Sequence, residues 1–379
     1  MNQIYLDNQA TTPLDPNVLS EMMPWLKNKF GNASSRNHSY GWEANDAIEI
    51  SRQAIADLIC ASSKEIFFTS GATESNNIAI QGIANEHKNI PAHIITVKTE
   101  HPAVLDICNH LEKESFSITT LSVNKDGILD IEKFKRAIQS NTIVVSIMHA
   151  NNEIGVIQPI RKIGEICMER GITFHVDAAQ STGKIPLNVK KMNIDLLSMS
   201  SHKIYGPKGI GALYKRNGIK IKPLMYGGGH ELGMRPGTLA VPNIAGFGKA
   251  CEIAKKIMKN DDEKISKLKN FFLTSIHNEI TDFKINGTLE KRLAGNINIC
   301  FMGINNEALI ASLPNIAFSS SAACTSSKMT PSHVLLALGL SKKDVFCSVR
   351  FGIGRFNTEK EINEVIEKLI LSINKLKNK

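Results

Sequence analysis

Two neighbouring stretches of the chain carry residues suited to chemistry: FHVDAAQSTGK, where one apolar run ends, and DLLSMSSHKIYGPKGIG, where the next one does. The first supplies Asp177 and the second Lys203. A lysine able to form a Schiff base and an acid able to keep a pyridine nitrogen protonated are what pyridoxal phosphate requires of its protein. Either residue alone says little, since lysines are usually solvated and an aspartate at a strand end usually caps a turn. The pairing carries the inference.

Four further segments add to it. TSGATESNN (69–77) sets small and hydroxyl residues at a strand-to-helix turn, where free N–H groups bind phosphate and Gly71 admits a close approach. Its plainer reading is an N-cap with Glu74 in the first turn. His101, in KTEHPAV, would by itself be a helix-entry hydrogen bonder; beside a bound ring it could stack and move protons near neutrality. Cys324 lies in AFSSSAACTSSK, among residues that form no core, and reads as an exposed thiol able to visit a site. Its thiolate would be the nucleophile. Arg350, in VRFGIGRF, is equally suited to clamping a carboxylate and to a structural ion pair. GPKGIG and FGIGRF lack the strand–helix setting of a dinucleotide fingerprint.

These residues need a scaffold, and the apolar pattern predicts one. IFFT (66–69), HIITV (93–97), TIVVSIM (142–148), ITFHV (172–176) and DLLSMS (195–200) read as strands. Glu74–His87, Ala103–Lys113, Ile131–Gln139 and Ile160–Arg170 read as helices between them. Such alternation predicts an α/β fold with a mostly parallel sheet covered on both faces. Ligands of such sheets bind at the carboxyl ends of the strands. Ser70-Gly71, His101, His149–Glu153, Asp177 and Ser200–Lys203 all fall there. A long helical stretch from Asn243 to about Ile276 leads to a smaller C-terminal unit ending in an amphipathic helix near Glu359–Leu376. The expected division is residues 15–261 against 1–14 with 262–379.

Composition fits an ordinary globular chain: 379 residues, 42% hydrophobic and 21% charged. No run approaches the length of a membrane span, and MNQIYLDNQATTP is not a signal peptide, so a cytoplasmic location is expected. The seven cysteines include no C-x-x-C pair, which argues against a disulfide framework or a zinc site. The net charge of +9 is scattered in lysine pairs, without an aromatic-interleaved stripe, so nucleic acid is not indicated as a direct partner.

Taken together, YLDNQATTP, FGNASS, FTSGATESNN, TEHPAV, MHANNEIG, HVDAAQ, SSHKIYGPKGIG, GGGHELGMRPGT, SSSAACTSS, PSHVLLALG and VRFGIGRF resemble the cysteine desulfurases of the IscS/NifS type. These belong to the class V aminotransferase group of fold-type I pyridoxal-phosphate enzymes. The resemblance implies a large domain with a mostly parallel mixed sheet, and a smaller α/β domain carrying the cysteine loop. It implies that Lys203 carries the cofactor, Asp177 pairs with the pyridinium nitrogen, His101 stacks on the ring and Gln180 bonds the phenolic oxygen. Ala72-Thr73, Ser200 and His202 would hold the phosphate, with Thr238 reaching over from the second subunit of a homodimer. Asn152 and Arg350 would grip the carboxylate of L-cysteine. Cys324 would take the sulfur as a persulfide, releasing alanine, and pass it to acceptors such as an iron–sulfur scaffold protein or a tRNA-thiolation enzyme. No metal site is implied beyond Cys324 as a passing iron–sulfur ligand. The chain departs from the pattern at Ala33, at Leu232 in place of an arginine, and in the cysteine loop, where Ala322 replaces the family's second serine and Ser321 its glycine. It ends at INKLKNK without the tail that helps dock the scaffold, which leaves the acceptor open. Selenocysteine lyase or another class V enzyme is the rival reading, and Cys324 argues against a transaminase. A non-catalytic adaptor would be expected to lack Lys203 or Cys324.

Overall fold

The computed structural model describes residues 3–320, 322–323 and 330–378. After a short strand β1 (Ile4–Tyr5), seven strands form the central sheet: β2 (Ile66–Thr69), β3 (His93–Val97), β4 (Ser117–Leu121), β5 (Thr142–Ser146), β6 (Thr173–Asp177), β7 (Leu196–Ser200) and β8 (Gly211–Lys215). Their order is β2-β8-β7-β6-β5-β3-β4, with β3 to β7 paired in parallel and β8 antiparallel to both of its neighbours. The carboxyl ends of β2 to β7 therefore share one edge.

Strands buried on both faces read as near-continuous apolar runs, which is why HIITV and LLSMS were legible as strands. Successive residues divide between the faces. Phe67, Ile94, Val144, Leu196 and Leu213 pack on one side with α3 (Ala72–Glu86) and α4 (Pro102–Lys113). Phe68, Ile95, Val145, Leu197 and Tyr214 pack on the other with α1 (Pro16–Lys27), α2 (Ser39–Ile59), α5 (Ile131–Ala137), α6 (Ile160–Glu169) and the first half of α7 (Val241–Glu279). Two strands of this central sheet were not predicted. β4 is a half-exposed edge strand of sequence SITTL, and β8 follows a glycine-rich turn that hides its short apolar run.

A second sheet, β12-β15-β10-β9, is antiparallel throughout. It comprises β9 (Phe283–Ile285), β10 (Asn296–Phe301), β12 (Ser319–Ser320) and β15 (Ser348–Gly352), while β11 (Ile316–Ala317) pairs with β1. Two further short strands, β13 (Ala322–Ala323) and β14 (Thr330–Pro331), pair with each other. Helices α8 (Asn306–Ser312), α9 (His333–Ala337), α10 (Lys342–Val345) and α11 (Glu359–Lys377) complete this part. Its core unites Leu6, Ile299, Phe351 and Leu369 with Phe272 and Ile276 from the second half of α7. The 39-residue α7 thus belongs to both cores. Among the described residues no helix is long and apolar enough to cross a membrane.

Candidate active site

A cleft of about 570 Å³ opens at the carboxyl edge of the central sheet. Ala72, Thr73, His101, Asn152, Asp177, Gln180, Ser200, His202, Lys203 and Arg350 all line it. Thr238 is exposed and stands outside its lining, and Cys324 lies outside the described residues.

Asp177 ends β6 almost fully buried, and two donors fix its carboxylate. Asn76 Nδ2 donates to Oδ2 at 2.8 Å, and the Ala179 N–H to Oδ1 at 2.9 Å. Lys203 closes the short 3-10 turn after β7, and its Nζ donates to the carbonyls of Gln9 at 2.6 Å and Ala10 at 2.7 Å. Burial, reinforced by the charge of Arg350, lowers the Lys203 amine to about 8, with Asp177 and Asp7 opposing. A sizeable share of it is therefore neutral and nucleophilic just above physiological pH.

The N-terminus of α3 faces the same space. Gly71 caps it at φ +155°, ψ 179°, a conformation open to glycine and little else. The first-turn N–H groups of Ala72 and Thr73 have no helical acceptor and are left to an anion. His202 Nδ1 is 3.0 Å from Thr11 Oγ1, and burial together with Lys203 and Lys208 brings its imidazole down to about 4. It is neutral there. His101 caps α4 by accepting the Ala103 N–H at Nδ1 (3.1 Å), as its plainer reading predicted, and it lines the cleft as well. Desolvation lowers its imidazole, with Lys203 and His333 adding and Asp177 opposing.

Arg350 enters from β15. Its Nη2 donates to Asp7 Oδ1 (2.7 Å) and Ser319 Oγ (3.1 Å), its Nη1 to the Asn152 carbonyl (2.9 Å). Arg350 is therefore ion-paired, as its structural reading predicts, and it also faces the cleft. Its buried Nε and the buried Oδ1 of Asn152 have no protein partner. Gln180 Nε2 donates to the Gln9 carbonyl at 2.8 Å, and Lys184 Nζ to Gln180 Oε1 at 3.4 Å.

Residues that sequence reasoning did not single out hold this arrangement. Asn76 lies one turn into α3, inside the quoted TSGATESNN. Asn151 accepts the Glu153 and Ile154 N–H groups at Oδ1 and donates to the Thr99 carbonyl, fixing the turn that presents Asn152. Gln9 and Ala10 act through main-chain carbonyls, which leave no mark in residue type. Glu100, fully buried, accepts the Met148 N–H, and burial beside Asp177 pushes its carboxyl well above the usual range.

The donor set fits pyridoxal phosphate. A helix N-terminus is suited to a phosphate, a buried carboxylate to a ring nitrogen and a neutralisable lysine to an aldehyde, and polar atoms at Asn152 and Arg350 are left unpartnered. Fold and cleft together define a pyridoxal-phosphate enzyme, and residues 4–365 match the family described as aminotransferase class-V. The chain belongs to the aminotransferase class-V family.

Within it, the chain stands among the cysteine desulfurases. It is 51% identical to the cysteine desulfurase IscS of Rickettsia felis over 376 residues, covering 99% of this chain and 92% of that one. It is 50% identical to that of Rickettsia prowazekii with the same coverage. Among solved structures, a NifS-like protein superposes with a TM-score of 0.93 at 34% identity, covering 99% of this chain and all of the other. A structure described as SspA in complex with cysteine gives 0.84 at 39% identity, covering 94% and 100%.

Proposed function

We propose that the cleft converts L-cysteine to L-alanine and that Cys324 receives the sulfur as a persulfide. From there acceptors for iron–sulfur cluster assembly and tRNA thiolation draw it. The observation that carries this reading is the meeting, in one cleft, of Lys203, Asp177 and a partly unpartnered Arg350. The similarity to a protein solved with cysteine supports the choice of substrate.

Ala72-Thr73, Ser200 and His202 would hold the cofactor phosphate, Asp177 its ring nitrogen and Gln180 its phenolic oxygen, while His101 would cover the ring. Bound pyridoxal phosphate supplies the electron sink that lets the Cα proton leave and weakens the bond from Cβ to sulfur. Arg350 and Asn152 bind the substrate carboxylate and orient Cα toward Lys203 Nζ, which moves the proton at Cα. His101, whose imidazole burial keeps lowered, takes the proton from the Cys324 thiol and leaves the substrate sulfur protonated and open to attack. The Cys324 thiolate attacks the substrate sulfur; the Cβ–S bond breaks, an S–S bond forms, and Cβ gains a proton to become the methyl group of alanine. The exposed Thr238 completes the phosphate site of a second copy, making the working unit a cytoplasmic homodimer. We divide each chain into residues 15–261 and 1–14 with 262–379.

Sulfide and alanine assayed together, on purified protein given L-cysteine and dithiothreitol, test this. Equal amounts, lost in Cys324→Ala while the visible cofactor band stays, are expected. A cofactor band with no sulfide would point to a different amino acid, and no band after adding pyridoxal phosphate would overturn the assignment of Lys203.

A further inference from the structure

Both ends of the stretch that carries Cys324 are tied to the surroundings of Arg350. On the N-terminal side Ser319 lies opposite Arg350 across the β12–β15 pairing, and its Oγ accepts from Nη2. On the C-terminal side Ser332 Oγ donates to Glu153 Oε2 at 2.5 Å, and His333 Nε2 donates to the Glu100 carbonyl at 2.8 Å. Glu153 adjoins Asn152, whose carbonyl Arg350 holds; Glu100 adjoins His101.

Glu153 is itself fixed. Its N–H is bound by Asn151 Oδ1 at 2.8 Å, and its carbonyl accepts Asn296 Nδ2 at 3.0 Å and Asn298 Nδ2 at 3.1 Å. Its side chain therefore acts as a post on the substrate side of the site. Ser332 is buried and begins α9, capping it by accepting the Leu335 N–H. Pairing of Ala323 with Thr330 brings the two ends of the intervening stretch together. Six residues, 324–329, separate those paired positions in the sequence.

We propose that Glu153 and Ser332 are positioning residues for sulfur transfer: their hydrogen bond sets the point from which the Cys324-bearing stretch departs, relative to the carboxylate site at Asn152 and Arg350. The inference rests on the proposed reading of Cys324 as sulfur acceptor. Attack needs the reacting atoms about 3–3.5 Å apart, and a misplacement of about 1 Å costs on the order of a hundredfold in rate. Neither residue touches the reacting atoms, and their effect passes through Cys324.

The test uses the holoenzyme with Glu153→Ala, Ser332→Ala, the double variant, and the conservative variants Glu153→Gln and Ser332→Thr. Three quantities are read: the shift of the visible cofactor band on titrating L-cysteine, the single-turnover rate of Cys324 persulfide formation by alkylation and peptide mass, and the melting temperature. Persulfide formation should fall roughly 10- to 100-fold in each alanine variant. The half-saturating cysteine concentration should hold, and Glu153→Gln and Ser332→Thr should recover most of the rate. The double variant should be no slower than either single one, which separates the shared bond from the loss of the α9 cap. Wild-type persulfide rates in the alanine variants, additive losses, or a matching loss of cysteine binding would overturn the proposal while leaving the desulfurase reading intact. Absence of Cys324 persulfide in the wild type would remove both.

Discussion

Lys203 shows how two main-chain carbonyls shape a reactive amine. They hold the ammonium at hydrogen-bond distance, yet burial and Arg350 still bring the group from its ordinary 10.5 down to about 8. The neutral amine is the nucleophile, and it grows as pH rises through the lowered pKa. Loading of pyridoxal phosphate onto stripped protein, followed by its visible band, should accelerate as pH rises from 7 through about 8 and level off by about 9. A flat profile would contradict the assignment. Asn76→Ala removes one of the two donors to Asp177, and a hydrogen bond to a charged group is worth about 1.5–3 kcal/mol. Cofactor affinity should fall roughly tenfold or more, read by equilibrium titration, with the band position retained. Asp177 and Lys203 were legible because polar side chains after buried strands can only face the sheet edge. Gln9 was not, because its carbonyl meets Lys203 across 194 positions and acts without its side chain.

At the scale of elements, the strands and helices around the cleft follow from periodicity, whereas the segments that brace them do not. The α3 start shows the limit: the hydrophobic pattern suggests Glu74, but the helix begins at Ala72, where Gly71 turns the chain toward the cleft. Gly71→Ala would place a side chain in a backbone region costing about 1–3 kcal/mol. Phosphate-dependent cofactor binding should weaken, and denaturant unfolding should show the loss. The loop before α7 is braced differently. Glu231, at φ +49°, binds Arg52 through both carboxylate oxygens at 2.8 and 2.9 Å and also accepts the Phe68 N–H of β2. Glu231→Ala leaves Arg52 with Glu49 and the Ile66 carbonyl as its partners and strands the Phe68 N–H, and should cost about 1–3 kcal/mol in denaturant unfolding. Glu231→Gln, which keeps an acceptor for Phe68, should cost less. This bond joins positions 179 apart, a coupling that composition and spacing do not encode.

The whole molecule is organised by α7, which contributes Phe247 and Ala250 to one core and Phe272 and Ile276 to the other. At about 1.5 Å per residue, such a helix is a rod of roughly 60 Å. Its existence and both its ends were legible to within a few residues, because a long amphipathic pattern is a strong local signal. The apolar surface beside it was not. Trp42 and Leu232, both exposed, line one groove with Leu239, next to Thr238. If Thr238 serves a second copy, this face is covered in the dimer. Sedimentation should then give the mass of two chains, and Trp42→Glu with Leu232→Glu should shift it toward one.

A last consequence follows from where the thiols lie. Cys108, Cys167, Cys251, Cys300 and Cys347 are buried, and Cys60 is the one exposed thiol among the described residues. Burial raises the Cys108 thiol to about 12 and that of Cys300 to about 11, and raises Cys167 and Cys251 as well. A thiolate attacks the sulfane sulfur of a stray polysulfide, so burial that disfavours the thiolate slows that reaction at these four sites. Four of the described thiols are thus guarded against the sulfur the catalyst mobilises, and Cys60 stands as the exposed site where stray sulfur would add.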